Sequence, residues 1–328
     1  MNFLTCAVLS LIFAAVFSLR AQPVNVQQFQ NVQQQQALQQ SVPGWPAVTN
    51  APELFPGENT DVGPQHILRQ TPRPDYFDIF FDSQYFYSDN ANFAASPDTV
   101  GSAVYVNTVQ VAFTPPDTKL GEGKFAPAIG FVSQWYNYDN SQLQSLDFNA
   151  QTAFVSGRYT INDWQFGLGL NYTRLLNQSD YEHTYQEFLP ALTVQRFFPI
   201  GEKFIFTAGN QVDYHFTSVP QTPGGPCAEI NNRFDDAITV TASWLATRRL
   251  TLQPYYRFQY SNYRYNTLQT SGRTDYLDSF GMTIIFYISK NFSLRTFINY
   301  NLKRSDDSYT PSYDEYNTGL GGTLNFNF

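Results

Sequence analysis

The chain is short of charge. Of its 328 residues only 14% are Asp, Glu, Lys or Arg, against about a quarter in ordinary soluble domains. It has 2 cysteines, 2 methionines and 3 histidines, which excludes a disulfide scaffold and leaves no Cys/His cluster with metal-ligand spacing. Beyond residue 21 no apolar run approaches the ~18 residues that mark a membrane helix, and mean hydropathy is −0.34. Basic residues are outnumbered 19 to 27, and the pI is near 4.8. That balance excludes nucleic acid as a partner, because such binding needs a basic surface. Walker, Rossmann and zinc signatures are absent.

Aromatic residues are abundant: 17% of the chain, with 30 Phe and 22 Tyr. Such side chains suit pleated surfaces and lipid–water interfaces. Residues 3 to 19 (FLTCAVLSLIFAAVFSL) form a short apolar run followed by Arg20 and Ala21. The run predicts a secretory signal over 1–21 with cleavage after Ala21, although it carries no Lys or Arg before the apolar stretch and has Leu19 where a small residue is preferred. Cys6 leaves with the signal, so the mature chain keeps Cys227 alone.

Residues 22–74 have a different character from the remainder. The stretch QQFQNVQQQQALQQ is followed by seven prolines, Pro43, Pro46, Pro52, Pro56, Pro64, Pro72 and Pro74. Too few apolar residues are present to build a core alone, and the segment reads as a largely disordered periplasmic tether. The Gln run is compatible with a short helix, and the alternative function for the segment as a whole is a plug or partner-binding arm.

From residue 75 to 328 the pattern is one of strands. Twelve candidates occur: 75–87, 100–113, 124–136, 146–160, 164–176, 185–198, 203–216, 233–247, 250–263, 275–289, 291–303 and 314–328. Within 203–216, Phe204, Phe206, Ala208, Val212, Tyr214 and Phe216 share one side of an extended strand, and Thr207, Gln211, Asp213 and His215 share the other. Pro127, Pro190 and Pro254 each remove a ladder donor and should mark bulges or strand ends. Short connections at 161–163, 199–202, 248–249 and 290, with a longer turn at 114–123, alternate with polar loops near 88–99, 137–145, 177–184, 217–232, 264–274 and 304–313. Five short turns and six long loops in strict alternation place every short turn, and both ends of the strand region, on one side. A soluble sandwich has no reason to sort its connections this way.

The last strand, YNTGLGGTLNFNF, puts Leu320, Leu324, Phe326 and Phe328 on one side, with Gly322 interrupting the series. This end resembles the terminal strand of bacterial outer-membrane β-barrel proteins, in which alternate apolar or aromatic residues lead to a terminal Phe. The resemblance implies an all-β fold: a twelve-stranded antiparallel up-and-down transmembrane barrel in a Gram-negative outer membrane, with short periplasmic turns and longer extracellular loops. It also implies that Leu324, Phe326 and Phe328 are read by the barrel-assembly machinery. Both ends of the mature chain would then be periplasmic. Trp164, Trp244, Tyr256, Tyr260, Tyr276, Tyr300 and Phe328 would form aromatic girdles at the two interfaces.

The polar stripes would line the lumen. The expected pore-lining residues are Asp78, Asp82, Asp147, Gln151, Asp213, His215, Arg257, Gln259, Arg295, Asn299 and Lys303, accompanied by Gln84, Asn149, Gln165 and Asn171. They point to a porin-like channel passing small hydrophilic solutes or ions. The same charges could instead pair with one another and seal the lumen, leaving a structural or adhesive barrel that works through its loops. An outer-membrane lipid hydrolase would need a His two residues before a lipid-facing Ser. None of His66, His183 and His215 has one. No enzyme activity, cofactor or metal is expected, and His183 with Glu182 and Glu187 reads as a solvated loop edge.

Overall fold

The computed structural model describes residues 24–40, 75–221, 227–266 and 272–328, with side chains of the first segment described to residue 36. The signal region 1–21, the proline-rich stretch 41–74 and His66 lie outside the described residues. Among the described residues an α-helix, α1 (Val24–Gln40), precedes thirteen strands: β1 (Phe77–Ser88), β2 (Ser102–Phe113), β3 (Thr118–Leu120), β4 (Gly123–Tyr138), β5 (Phe148–Ile161), β6 (Trp164–Asn177), β7 (His183–Ile200), β8 (Phe204–Ser218), β9 (Arg233–Thr247), β10 (Leu250–Tyr263), β11 (Arg273–Tyr287), β12 (Phe292–Ser305) and β13 (Tyr313–Asn327).

Apart from the short β3, each strand pairs antiparallel with the next along the chain, and the ends of the series join. Asp78 pairs with Asn327 and Ser88 with Asn317 along the β1–β13 ladder. β2 pairs with β4 from Val104–Tyr138 to Phe113–Ile129. The tiny β3 pairs only with β4, folding the 114–123 turn into a hairpin tip. Twelve strands therefore close into a barrel with no free edge, as a sheet surrounded by hydrocarbon requires. Pro190 and Pro254 fall at interruptions in a ladder. The β7–β8 register passes from Phe188–Phe216 to Ala191–Asp213, and the β9–β10 register from Leu252–Trp244 to Tyr255–Thr241. Pro127 lies on the part of β4 beyond the end of β2, where one side needs no donor.

The outer face is apolar. Val111, Ile129, Phe131, Val155, Leu168, Leu192, Ile238, Phe280, Ile298 and Leu320 all point outward and are exposed. An apolar surface running round the whole cylinder is unlike a soluble monomer, whose patches rarely exceed a few hundred Å², and it meets lipid. Trp164 and Trp244 lie at the short-turn rim, while Tyr276 and Tyr300 lie toward the long-loop rim; all four are exposed.

Inside, α1 occupies the lumen instead of serving as a tether. Its Gln-rich sequence is compatible with helix and has no interior Gly or Pro, but such a helix is not stable alone in water. Packing holds it. Val26, Phe29 and Val32 form a stripe against Phe86, Val104, Val106, Tyr136, Phe148, Ala150, Leu175 and Tyr185. Burial of each stripe residue contributes roughly 1.5–3 kcal/mol. Amides complete the docking: Gln33 Nε2 donates to Gln134 Oε1 (2.9 Å), and Gln36 Nε2 donates to Thr108 Oγ1 (3.0 Å). Val24 packs with Phe93 and Tyr313, and Asn25 reaches Thr184 (3.4 Å), both at the long-loop mouth. The helix thus starts at the mouth opposite Phe77 and Phe328 and descends toward the short turns. The expectation that both mature ends share one side does not extend to α1.

On the inner face of β13, Gly319 lies between two rings. Its cross-strand partners are Phe86 and Phe297, whose centroids are 6.0 Å apart. A Cβ here would come within 2.3 Å of the Phe86 Cβ. Substitution Gly319→Val is expected to destabilise the barrel by about 1–3 kcal/mol, the usual cost of overpacking. The measurement is the temperature at which the protein loses its fast, SDS-resistant gel migration; an unchanged temperature would contradict the packing described.

Candidate functional site

Cross-strand partners share a face, so the ladders sort the polar residues into inner and outer sets. Asp78, Asp82, Asp213, His215, Arg257, Gln259, Arg295, Asn299 and Lys303 all lie on inward positions. So do Gln84, Gln165 and Asn171. Asp78 sits at the short-turn rim, paired with Asn327 and Ala112. Asn299 is buried between Gly281 and Asn317.

Strand β5 reverses the expected facing. Its inward residues are Phe148, Ala150 and Thr152, whereas Asn149 and Gln151 share the outer face with Ala153 and Val155. Gln151 accepts from Arg174 Nε (2.8 Å) on that outer face, so it lines no pore. Asp147 is not on a strand. It ties the loop before β5 by accepting from the Tyr138 amide (2.8 Å). The physical reason is α1: where the helix docks, the lumen wall is apolar, and the rule that polar residues face inward fails locally.

The lumen accordingly has two walls. The apolar one, on β1, β2 and β4–β7, holds the helix. The other, on β7–β12, is charged and organised in rungs. His215, Arg233, Tyr263 and Arg273 are successive cross-strand partners nearest the long loops. Asp213, Asp235, Ser261 and Asp275 form the next rung down. Bonds within a strand link the two rungs. Arg233 Nε donates to both oxygens of Asp235 (3.1 and 2.9 Å), and Arg273 Nε donates to Asp275 (3.3 Å). Tyr263 lies under both guanidinium groups, 3.7 Å from Arg273 and 5.3 Å from Arg233, and Lys303 Nζ meets Asp275 at 3.1 Å.

Between this wall and the Gln27, Gln30 and Gln34 side of α1 lies a polar cavity of ≈ 290 Å³. Asp213, His215, Arg257, Gln259 and Lys303 line it, together with Glu187, Arg233, Asp235 and Asp275. The last four went unrecognised in the sequence, although Arg233–Asp235 and Arg273–Asp275 carry the i, i+2 spacing that puts two charges on one side of a strand. Glu187, read as part of a loop edge with His183, is buried and contacts His215 Nδ1 at 2.6 Å. Both ring nitrogens of His215 face carboxylates, so it is not placed as the base of a Ser–His pair.

Arg295 and Asp82 stand apart from the cavity. Arg295 reaches across β13 to grip Asp82 with both terminal nitrogens, Nη2 to Oδ1 at 2.8 Å, and also donates to Gln84 (2.9 Å) and Thr323 (2.8 Å). Gly321, its cross-strand partner, has no side chain to block the reach. This pair braces the wall. Substitution Arg295→Met is expected to cost about 3–5 kcal/mol by leaving Asp82 buried and unpaired, and adding Asp82→Asn should recover much of that loss. Urea unfolding of the single and double variants checks it; equal losses in the two would refute the pairing.

No family model matches the sequence, and no curated protein matches it. Among solved structures, an outer membrane channel from Pseudomonas putida F1 aligns at 9% identity over 77% of this chain and 96% of its own, with a TM-score of 0.47. The transport unit of the autotransporter AIDA-I from Escherichia coli aligns at 9% identity over 78% and 92%, with a TM-score of 0.45. The KdgM porin aligns at 9% identity over 75% and 99%, with a TM-score of 0.40. Likeness at this level carries no functional information, and the side chains inside the cylinder must supply it.

Proposed function

We propose that the protein is an outer-membrane channel for small hydrophilic solutes or ions, whose path runs between α1 and the charged wall of β7–β12. The observation that carries this reading is the polar cavity itself. A barrel sealed by its own side chains would pack the helix against both walls. Here α1 docks its apolar stripe on the first wall and turns mostly amides toward the other, with Phe29 also bordering the cavity. Water and ions are tolerated beside amides and paired charges, and the path would be selective because both signs of charge border it. The long loops would face outward from the cell and the short turns the periplasm. Leu324 and Phe326, exposed on the outer face of β13, and Phe328, exposed just past its end, are proposed as the segment engaged by the assembly machinery.

Arg257 is the residue expected to matter most for selectivity. It lines the cavity, and its Nη2 donates to the neutral Gln259 amide oxygen (3.0 Å). In planar bilayers the full-length protein is expected to give discrete conductance steps. Arg257→Glu should shift the reversal potential in a salt gradient toward cations, whereas Arg295→Met should not. Steps no different from a detergent control would favour a sealed barrel that works through its loops.

The helix sets the bore. Deleting residues 24–40 should raise single-channel conductance several-fold, because the lumen then loses its largest occupant. Equal conductance with and without α1 would show that the path lies elsewhere.

A further inference from the structure

We propose that Asp213, His215 and Asp235 form a binding site for one divalent transition-metal ion on the lumen wall. His215 Nε2, Asp213 Oδ1 and Asp235 Oδ2 converge, the imidazole nitrogen lying 2.8 and 2.9 Å from the two oxygens. All three candidate ligand atoms lie within 4.8 Å of one another, and all three residues are buried.

Three features point to a cation at this position. Asp213 and Asp235 are direct cross-strand partners, an arrangement of like charges that destabilises a sheet unless something positive sits between them. A single proton on Nε2 can point at only one of the two oxygens. Asp213 Oδ1, buried and aimed at the cluster, faces that imidazole nitrogen at 2.8 Å, while its other oxygen accepts from Gln211 (2.7 Å). A metal ion is attracted to both carboxylates and to the nitrogen lone pair at once.

The surroundings are those of a braced site. Glu187 Oε2 contacts the opposite nitrogen of His215 (2.6 Å) and accepts from the Tyr185 hydroxyl (2.6 Å). A carboxylate on the far nitrogen is the usual way a ligating imidazole is oriented. Asp235 is held by Arg233 and by Gln259 Nε2 (3.0 Å). Arg233 Nη2 approaches Nε2 at 3.2 Å and would yield that position to the ion while its Nε stays on Asp235. Glu187, Asp213 and Asp235 outnumber the guanidinium groups of Arg233 and Arg257 that face them, and a bound cation offsets the excess. The adjoining cavity leaves room for water ligands. One imidazole with two carboxylates suits Zn2+ and its first-row neighbours rather than Ca2+, which prefers oxygen alone.

The inference does not depend on the channel reading, because binding is measured without any current. Purified full-length protein in detergent, dialysed against Zn2+, is expected to hold one ion per chain with little competition from Ca2+. His215→Gln and Asp213→Asn should each weaken binding at least ten-fold, while Cys227→Ser should leave it unchanged. Folding of each variant is checked by heat-dependent gel migration. X-ray absorption at the zinc edge of the wild-type protein should show one imidazole among oxygen donors, and this decides the matter even where a variant fails to fold. Absence of bound zinc, affinity unchanged in a folded His215→Gln or Asp213→Asn protein, or a spectrum without imidazole would overturn the proposal. Zinc binding without conductance would leave this site standing and defeat the channel; conductance without zinc binding would do the reverse.

Discussion

Backbone amides and carbonyls surrounded by hydrocarbon must find partners within the protein, and everything else in this structure follows from how they do so. The β1–β13 and β2–β4 ladders finish the circuit. Once it is closed, the facing of one residue sets the facing of its partner on each neighbouring strand. Asp82 faces inward, and therefore so do Thr108, Gln134 and Ala150, in sequence across β2, β4 and β5. A single strand cannot reverse without exposing polar groups to lipid and apolar groups to the lumen, a penalty shared by the whole ring.

The same rigidity explains why the interior divides in two. Helix α1 has one narrow apolar stripe, and most of its other residues are amides. It needs an oily surface on one side and tolerates a polar one on the other. The wall carrying Val104, Val106, Tyr136, Phe148 and Leu175 supplies the first. The rungs of β7–β12 supply the second. Their charges are arranged by register, with a basic row above an acidic row, so that along each strand opposite charges neighbour one another. Across the strands, however, like meets like at Asp213 and Asp235. That conflict, with His215 and Arg233 lying against it, is the most demanding electrostatic feature of the lumen.

Arg295 solves a different problem. Glycines at 319 and 321 leave the inner face of β13 bare, and the long side chains of its neighbours fill the space: Phe86 and Phe297 over one glycine, Arg295 over the other. The strand whose outer side carries Leu324 and Phe326 is thus kept smooth within, allowing an ion pair between β12 and β1 to pass over it. Arg295 is a brace and Arg257 a cavity residue, though the two are alike in charge and facing.

The barrel was legible in the sequence because lipid imposes one rule on every strand. Period-two alternation, tight turns alternating with long loops, and the absence of any long apolar run all follow from it, and they predicted twelve strands, closure and the inward placement of Asp213, His215 and Arg257. What the sequence could not show was the helix in the lumen, since Val26, Phe29 and Val32 become a stripe only against a wall that many strands build together. For that reason polarity alone points the wrong way for Gln151 on β5, where the interior is apolar, while Asp147 lies in the loop before that strand. The other partners of His215 were equally hidden, because Glu187, Arg233 and Asp235 come from the two flanking strands and meet it only through register. Alternation within a strand is a local property written in each side chain; which strand's charge faces which is decided by closure alone.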